Sequence, residues 1–315
     1  MSNIEYYFYE KGRTTIPKPC PGLYCGRIYS NGVYSGCGAC PWGYRANLSI
    51  CVPCDTELPA YDSFYLLTVV LMTVLLHFYF IDKSVKLAYR KKPQVMILYL
   101  SAIAESSLSV LISMFLYNPF GSLKLTGCGV KQLSDFYTVF KNPRPNYEEK
   151  LYCTQEAAYP IYSIVLVYIC LSILAILIIR IPLVGIFRIR RDSANSIYAA
   201  FYFFPIMAAF YAVLAGYLYY SYPVLMLIGA VVSTAWFLAS RPYQEPKEML
   251  VHIITSPRLL IILIGHWLIT SFGILSVSEL NGVPFTWEML TLVFVPLIFY
   301  LVTLKLTDPS KFHSD

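Results

Sequence analysis

Charged side chains are scarce in this 315-residue chain. Asp, Glu, Lys and Arg make up 13% of it against 57% hydrophobic residues, where a soluble domain is about a quarter charged. One aqueous core cannot hide that much apolar surface, which excludes an ordinary soluble fold. Histidine is scarcer still, at four residues. The chain has no phosphate-binding glycine loop, nucleophile elbow or metal-spaced histidine cluster. The sequence therefore offers no catalytic residue, cofactor site or metal site, and no small-molecule substrate is expected. A formal charge of +6 without a clustered basic face gives no reason to expect a nucleic-acid partner. Residues 1–60 hold no apolar stretch ahead of a small-residue cleavage site, so the first span is expected to serve as its own targeting signal.

What the chain has instead is long apolar runs. Seven stand out: Ser63–Ile81, Val95–Leu116, Ile161–Ile181, Ile197–Tyr219, Pro223–Ala239, Leu259–Val277 and Leu290–Leu306. A spanning helix needs about 20 such residues, and the runs are continuous rather than alternating, which disfavours strands. The 28 tyrosines suit a membrane–water interface. The expected fold is an all-α multi-pass membrane protein: a luminal cysteine-rich domain at 1–60, seven transmembrane helices over 61–306, and a cytosolic tail at 307–315. Lys and Arg in short connections set the orientation. Lys83, Lys86, Arg90, Lys91 and Lys92 follow the first run, Arg188, Arg190 and Arg191 the third, and Arg241, Lys247 and Arg258 the fifth. The short connections around Ser221 and from Leu280 to Glu288 carry none. This pattern places the N-terminus in the lumen and the C-terminus in the cytosol.

Six of the nine cysteines fall within the head: Cys20, Cys25, Cys37, Cys40, Cys51 and Cys54. The segment has too few apolar residues for a core, so cross-links must restrict its unfolded state. Glycines supply its tight turns. Paired Cys-x-x-Cys units also suit tetrahedral zinc, and one such unit can be a redox centre. Structural disulfides are favoured because exported thiols pair in an oxidising compartment. Sequence does not choose among the many pairings. Cys128 and Cys153 lie in the long segment after the second run, and a bond between the two would close a moderate loop. The one glycosylation sequon, Asn47-Leu48-Ser49, lies in the head and makes Asn47 the N-glycosylation candidate.

Glu105 sits mid-run, where an ionisable group suggests function by default. Ser101, Glu105, Ser109 and Ser113 recur every fourth residue and share a helix face. With no visible cationic partner, a neutral Glu105 acting as interhelical hydrogen-bond glue is favoured over a proton or substrate relay. His77 and His266 read as interface or packing residues. Ala208, Ala212 and Gly216 form a small-residue seam, as do Gly229 and Ser233, and Pro205 and Pro296 predict kinks. Lys91 to Ile97 superficially fits a mitogen-activated kinase docking peptide, although a basic flank entering a helix explains it better. Ser256-Pro257 is a minimal proline-directed phosphorylation site.

Several stretches then point to one family: Leu23-Tyr24-Cys25-Gly26 with Cys37-Gly-Ala-Cys40-Pro-Trp-Gly, Leu133–Tyr147, Cys153–Val165, Ser196–Pro205, His266–Ser278 and Phe299–Lys311. Together, and in order, they resemble the JNK-associated membrane protein family, JAMP. The resemblance implies a non-enzymatic adaptor of the endoplasmic-reticulum membrane, also found at the plasma membrane. It implies Jun kinase, proteasome and ubiquitin-ligase partners, and roles in the unfolded-protein response and in degradation of misfolded proteins. Membrane lipid is the remaining expected partner. Two rivals remain. A seven-span receptor with a cysteine-rich ectodomain would carry an Asp-Arg-Tyr-like triplet where Ile179-Arg180-Ile181 stands. A transporter would be built around Glu105.

Overall fold

The computed structural model describes residues 18–86, 92–142, 153–187, 195–240, 245–284 and 286–303. The chain divides into two compact units: the described parts of Met1–Leu58 with Ser107–Ile179, and those of Pro59–Ser106 with Arg180–Asp315.

The first unit contains short antiparallel β-pairs. β1 (Cys25–Gly26) pairs with β4 (Gly38–Ala39), β2 (Tyr29–Ser30) with β3 (Val33–Tyr34), and β5 (Tyr44–Asn47) with β6 (Ile50–Pro53). Asn31-Gly32, both at positive φ, turn β2 into β3, as the twist of a two-residue hairpin requires. β7 (Thr56–Glu57) pairs with β8 (Thr126–Gly127), a strand from beyond the second apolar run. Four disulfides hold the unit. Cys20–Cys37 and Cys40–Cys51 lie within the head, whereas Cys25–Cys153 and Cys54–Cys128 join the head to the long segment. The bond considered between Cys128 and Cys153 does not form, because each reaches back to a head cysteine. With all eight paired, none of these thiols remains to ligate zinc. Among the described residues no cluster of three or more His, Cys, Asp or Glu could hold a metal. Cys170 stays unpaired and exposed.

The helices follow the apolar runs: α1 (Ala60–Lys86), α2 (Lys92–Phe115), α3 (Ile161–Ala175), α4 (Ile181–Ile186), α5 (Asn195–Ala239), α6 (Pro246–Thr255), α7 (Pro257–Leu280) and α8 (Val295–Thr303). Among the described residues, five stretches are long and apolar enough to cross a membrane: Ala60–Ser84, Gln94–Phe115, Ile161–Ile186, Asn195–Ala239 and Leu259–Leu280. A shorter apolar helix spans Trp287–Thr303. The expected count of seven is not reached, for two reasons. The fourth and fifth runs fuse into the 45-residue α5, with Tyr219 to Pro223 inside it rather than in a connection. A straight helix of that length measures about 67 Å, roughly twice the hydrocarbon thickness. The last run starts in 3₁₀ geometry at Trp287–Phe294 and turns α-helical at Val295, beside Pro296.

In the second unit, α5 packs against α1, α7 and α8, and α6 packs against α7. Gly273 of α7 lies against Leu227 of α5, where an added Cβ would come within 2.8 Å of the leucine side chain; a small residue is what permits that approach. The predicted seams behave differently. Gly216 is buried, Ala212 is exposed and Gly229 faces open space. Arg90, Lys91, Arg188, Arg190, Arg191, Arg241 and the tail from 304 lie outside the described residues. Val95 of the docking-like stretch is buried against Ile81, Leu98 and Ala102, and Ser256-Pro257 marks the break between α6 and α7.

Gly127 supplies a test of the first unit. A Cβ there would sit 2.5 Å from the Tyr159 carbonyl oxygen and from Pro160 Cδ. Gly127→Ala should destabilise the unit by about 1–3 kcal/mol through overpacking, seen as earlier thermal unfolding. Unchanged unfolding would contradict the close packing described.

Candidate functional site

Three polar side chains converge inside the apolar bundle. Glu105 comes from α2, His77 from α1, and Arg180 from the end of a π-helical turn, Ile176–Arg180, that joins α3 to α4. The π turn has a local cause. Pro182 has no N–H and its ring would clash with the carbonyl four residues back, and widening the turn accommodates it. Arg180, Glu105 and His77 are buried to 1% exposure or less. Arg180 Nε donates to Glu105 Oε1 at 3.0 Å and Nη2 donates to Oε2 at 2.5 Å. This two-pronged pair is the strong form of an arginine–carboxylate contact. Arg180 Nη1 lies 3.3 Å from His77 Nδ1. Guanidinium nitrogens only donate, so Nδ1 accepts and the imidazole is neutral. The His77 ring meets Phe203 and Phe204 edge-on.

This arrangement supplies the cationic partner that the sequence did not show for Glu105. Its partner is Arg180, 75 residues away. Ser101, Ser109 and Ser113 are buried along the same helix, as their spacing predicts. His266 takes no part: its Nδ1 contacts the Ile262 carbonyl and its ring packs on Phe237.

A second polar seam joins α1 to α5. Asp62, in the first turn of α1, is 1% exposed and accepts the Tyr219 hydroxyl. The Tyr61 hydroxyl donates to the Tyr219 carbonyl at 2.6 Å, and Tyr222 donates to the Tyr61 carbonyl at 3.3 Å. The rings of Tyr61 and Tyr65 pack on Tyr219 and Tyr222. These contacts consume the tyrosines that looked like a connection between two spans, which is why α5 runs unbroken.

In the disulfide unit, Asp135 organises the polar core. It accepts the Tyr24 hydroxyl at 2.9 Å, Arg45 Nη2 at 2.9 Å and the Lys131 amide at 2.8 Å. Burial, with the Asp135 charge adding to it, pushes the Tyr24 hydroxyl up to about 12. Beside this hub lies a cavity of about 440 Å³, walled by Trp42, Tyr117, Phe136 and Tyr162 with Asp135 and Glu156. Glu156 Oε1 accepts the Ser163 amide at 3.1 Å, and burial pushes its carboxyl above the usual range. Asn47 sits at the end of β5, half-buried, with Leu48 and Ser49 turning at positive φ. Sequence reasoning missed Arg180, Asp62, Arg45 and Asp135. An acid and a base each inside an apolar run was the signal available for Arg180.

Removing one member of the buried pair exposes its worth. Glu105→Gln should cost about 3–5 kcal/mol, because Arg180 is then a buried charge without a counter-ion. Glu105→Leu combined with Arg180→Met should recover most of that loss. Thermal unfolding of the purified variants measures both, and a single variant as stable as the parent would contradict the pairing.

Comparison with known proteins places the chain. The family described as JNK1/MAPK8-associated membrane protein matches residues 20–309. The human protein named JNK1/MAPK8-associated membrane protein is 34% identical over 309 residues, covering 95% of this chain and 97% of that protein. The mouse protein of the same name aligns equally well, at 34% over the same shares. A Caenorhabditis elegans homolog is 34% identical over 314 residues, covering 94% and 96%. No solved structure matches the chain. By a family match across nearly its whole length, this chain belongs to the JNK1/MAPK8-associated membrane protein family.

Proposed function

We propose that this protein is a non-enzymatic adaptor of the endoplasmic-reticulum membrane. Its disulfide unit faces the lumen, and its short cytosolic segments dock a Jun kinase together with proteasome and ubiquitin-ligase components. Family membership carries the proposal, since curated relatives are named for association with JNK1. The compartment is supported by the four disulfides, which persist where thiols are oxidised. The Lys and Arg after the first and third runs support a head on the side opposite to them, and an odd number of crossings would then leave the tail cytosolic. Asn47 is the proposed glycosylation position. The buried Glu105–Arg180 pair supports a scaffold role for the bundle over a proton relay, because each charge already has its counter-ion.

Proximity labelling from the C-terminal tail tests the adaptor reading. Enrichment of proteasome subunits, ubiquitin ligases or Jun kinase over a neighbouring membrane control is expected. No enrichment of any of them would sink it. Glycosidase sensitivity at Asn47 tests the compartment: an endoglycosidase-H-sensitive glycan, lost in Asn47→Gln, is expected. A glycan wholly resistant to that enzyme would contradict residence in the endoplasmic reticulum.

A further inference from the structure

The cavity of the disulfide unit has a chemistry that the adaptor role does not use. Four aromatic residues wall it: Trp42, Tyr117, Phe136 and Tyr162. Two carboxylates join them, and they differ in charge balance. Asp135 is neutralised by Arg45 at 2.9 Å. Among the described residues Glu156 has no basic partner, so the lining holds one carboxyl group that only an incoming cation would balance. Among the described residues no Lys or Arg belongs to the wall.

Aromatic rings lining a cavity beside a carboxyl group without a basic partner favour a cation, and a methylated ammonium above all, because it sheds water cheaply and can contact several rings at once. A ligand with an anionic reactive end has no basic residue to meet it among the described lining residues. The volume, about 440 Å³, lies within the range of small-ligand sites. Trp42 keeps 56% of its surface exposed, an unusual cost for an indole in a cross-linked unit that has other rings to pack against. Location narrows the source. Tyr162, Ser163, Leu166 and Val167 on the wall belong to the first two turns of the span Ile161–Ile186. The end of a spanning helix sits at headgroup depth, where amphipathic rings gather.

We propose that this cavity binds the quaternary ammonium of a choline lipid headgroup. The rings and Glu156 hold the trimethylammonium, and the phosphodiester stays outside the mouth, away from the two carboxylates. The site lies in the disulfide unit and does not depend on the adaptor's cytosolic partners.

The full-length protein in a maltoside detergent, which contains no choline, provides the test. Its thermal unfolding is followed against dihexanoylphosphatidylcholine, dihexanoylphosphatidylglycerol and free choline. The choline lipid should raise the unfolding temperature saturably, and the glycerol lipid with the same chains should not. Glu156→Gln keeps an oxygen for the Ser163 amide and removes the group that can ionise against a bound cation; Trp42→Leu removes one wall. Each should weaken the apparent affinity at least ten-fold. A non-reducing peptide map showing the parental disulfides establishes that the variants are folded. Equal responses to both lipids, or variants that bind like the parent, would overturn the site. Free choline matching the lipid at equal concentration would overturn the lipid assignment and leave a soluble ammonium as the ligand.

Discussion

Two disulfides constrain the whole of the first unit. Cys25–Cys153 and Cys54–Cys128 join the head to a segment that lies beyond α1 and α2. Covalently joined segments share a compartment, so the chain between Cys54 and Cys128 makes an even number of membrane crossings. α1 and α2 supply two candidate spans, which fits that parity. The β7–β8 pairing and the Arg45–Asp135 ion pair reinforce the same closure without covalent bonds. Small modules of this kind hold few apolar residues, and their stability comes from limiting the unfolded chain. The consequence is an oxidising environment for the whole unit, which the proposed luminal placement provides.

The bundle solves a different problem. Its backbone is satisfied within the helices, so the expensive groups are the side chains that an apolar solvent cannot hydrate. Three of these meet a partner at close range: Glu105 meets Arg180, the Arg180 fork meets His77, and Asp62 meets Tyr219. Buried ion pairs contribute little net stability, because desolvation offsets the attraction. Their value here is register. A bidentate fork fixes the rotation of α2 against the π turn at Arg180, and a hydrophobic contact would leave that rotation loose.

Much of this was legible in the residues and much was not. Continuous apolar runs announced helices, because apolar length has few other uses. The crowding of cysteines announced a cross-linked head, because the segment lacks a core. The pairing stayed hidden, since the reach from Cys54 to Cys128 depends on where two helices return the chain. Tyr219 to Pro223 read as a connection because local pattern cannot see Asp62 and the α1 rings across from it. Glu105 looked solitary because its counter-ion stands 75 positions later, at the edge of an apolar run. The cavity was invisible for the same reason: Trp42, Tyr117, Phe136 and Tyr162 lie far apart in sequence and meet only once the cross-links close.

The central claim is that covalent closure of the head onto the distant segment defines the unit. A non-reducing peptide map of the protein isolated from membranes, with free thiols blocked at lysis, tests it most directly. The account predicts linked peptides containing Cys25 with Cys153 and Cys54 with Cys128. Recovery of Cys128 bonded to Cys153, or of blocked free thiols at these four positions, would contradict it.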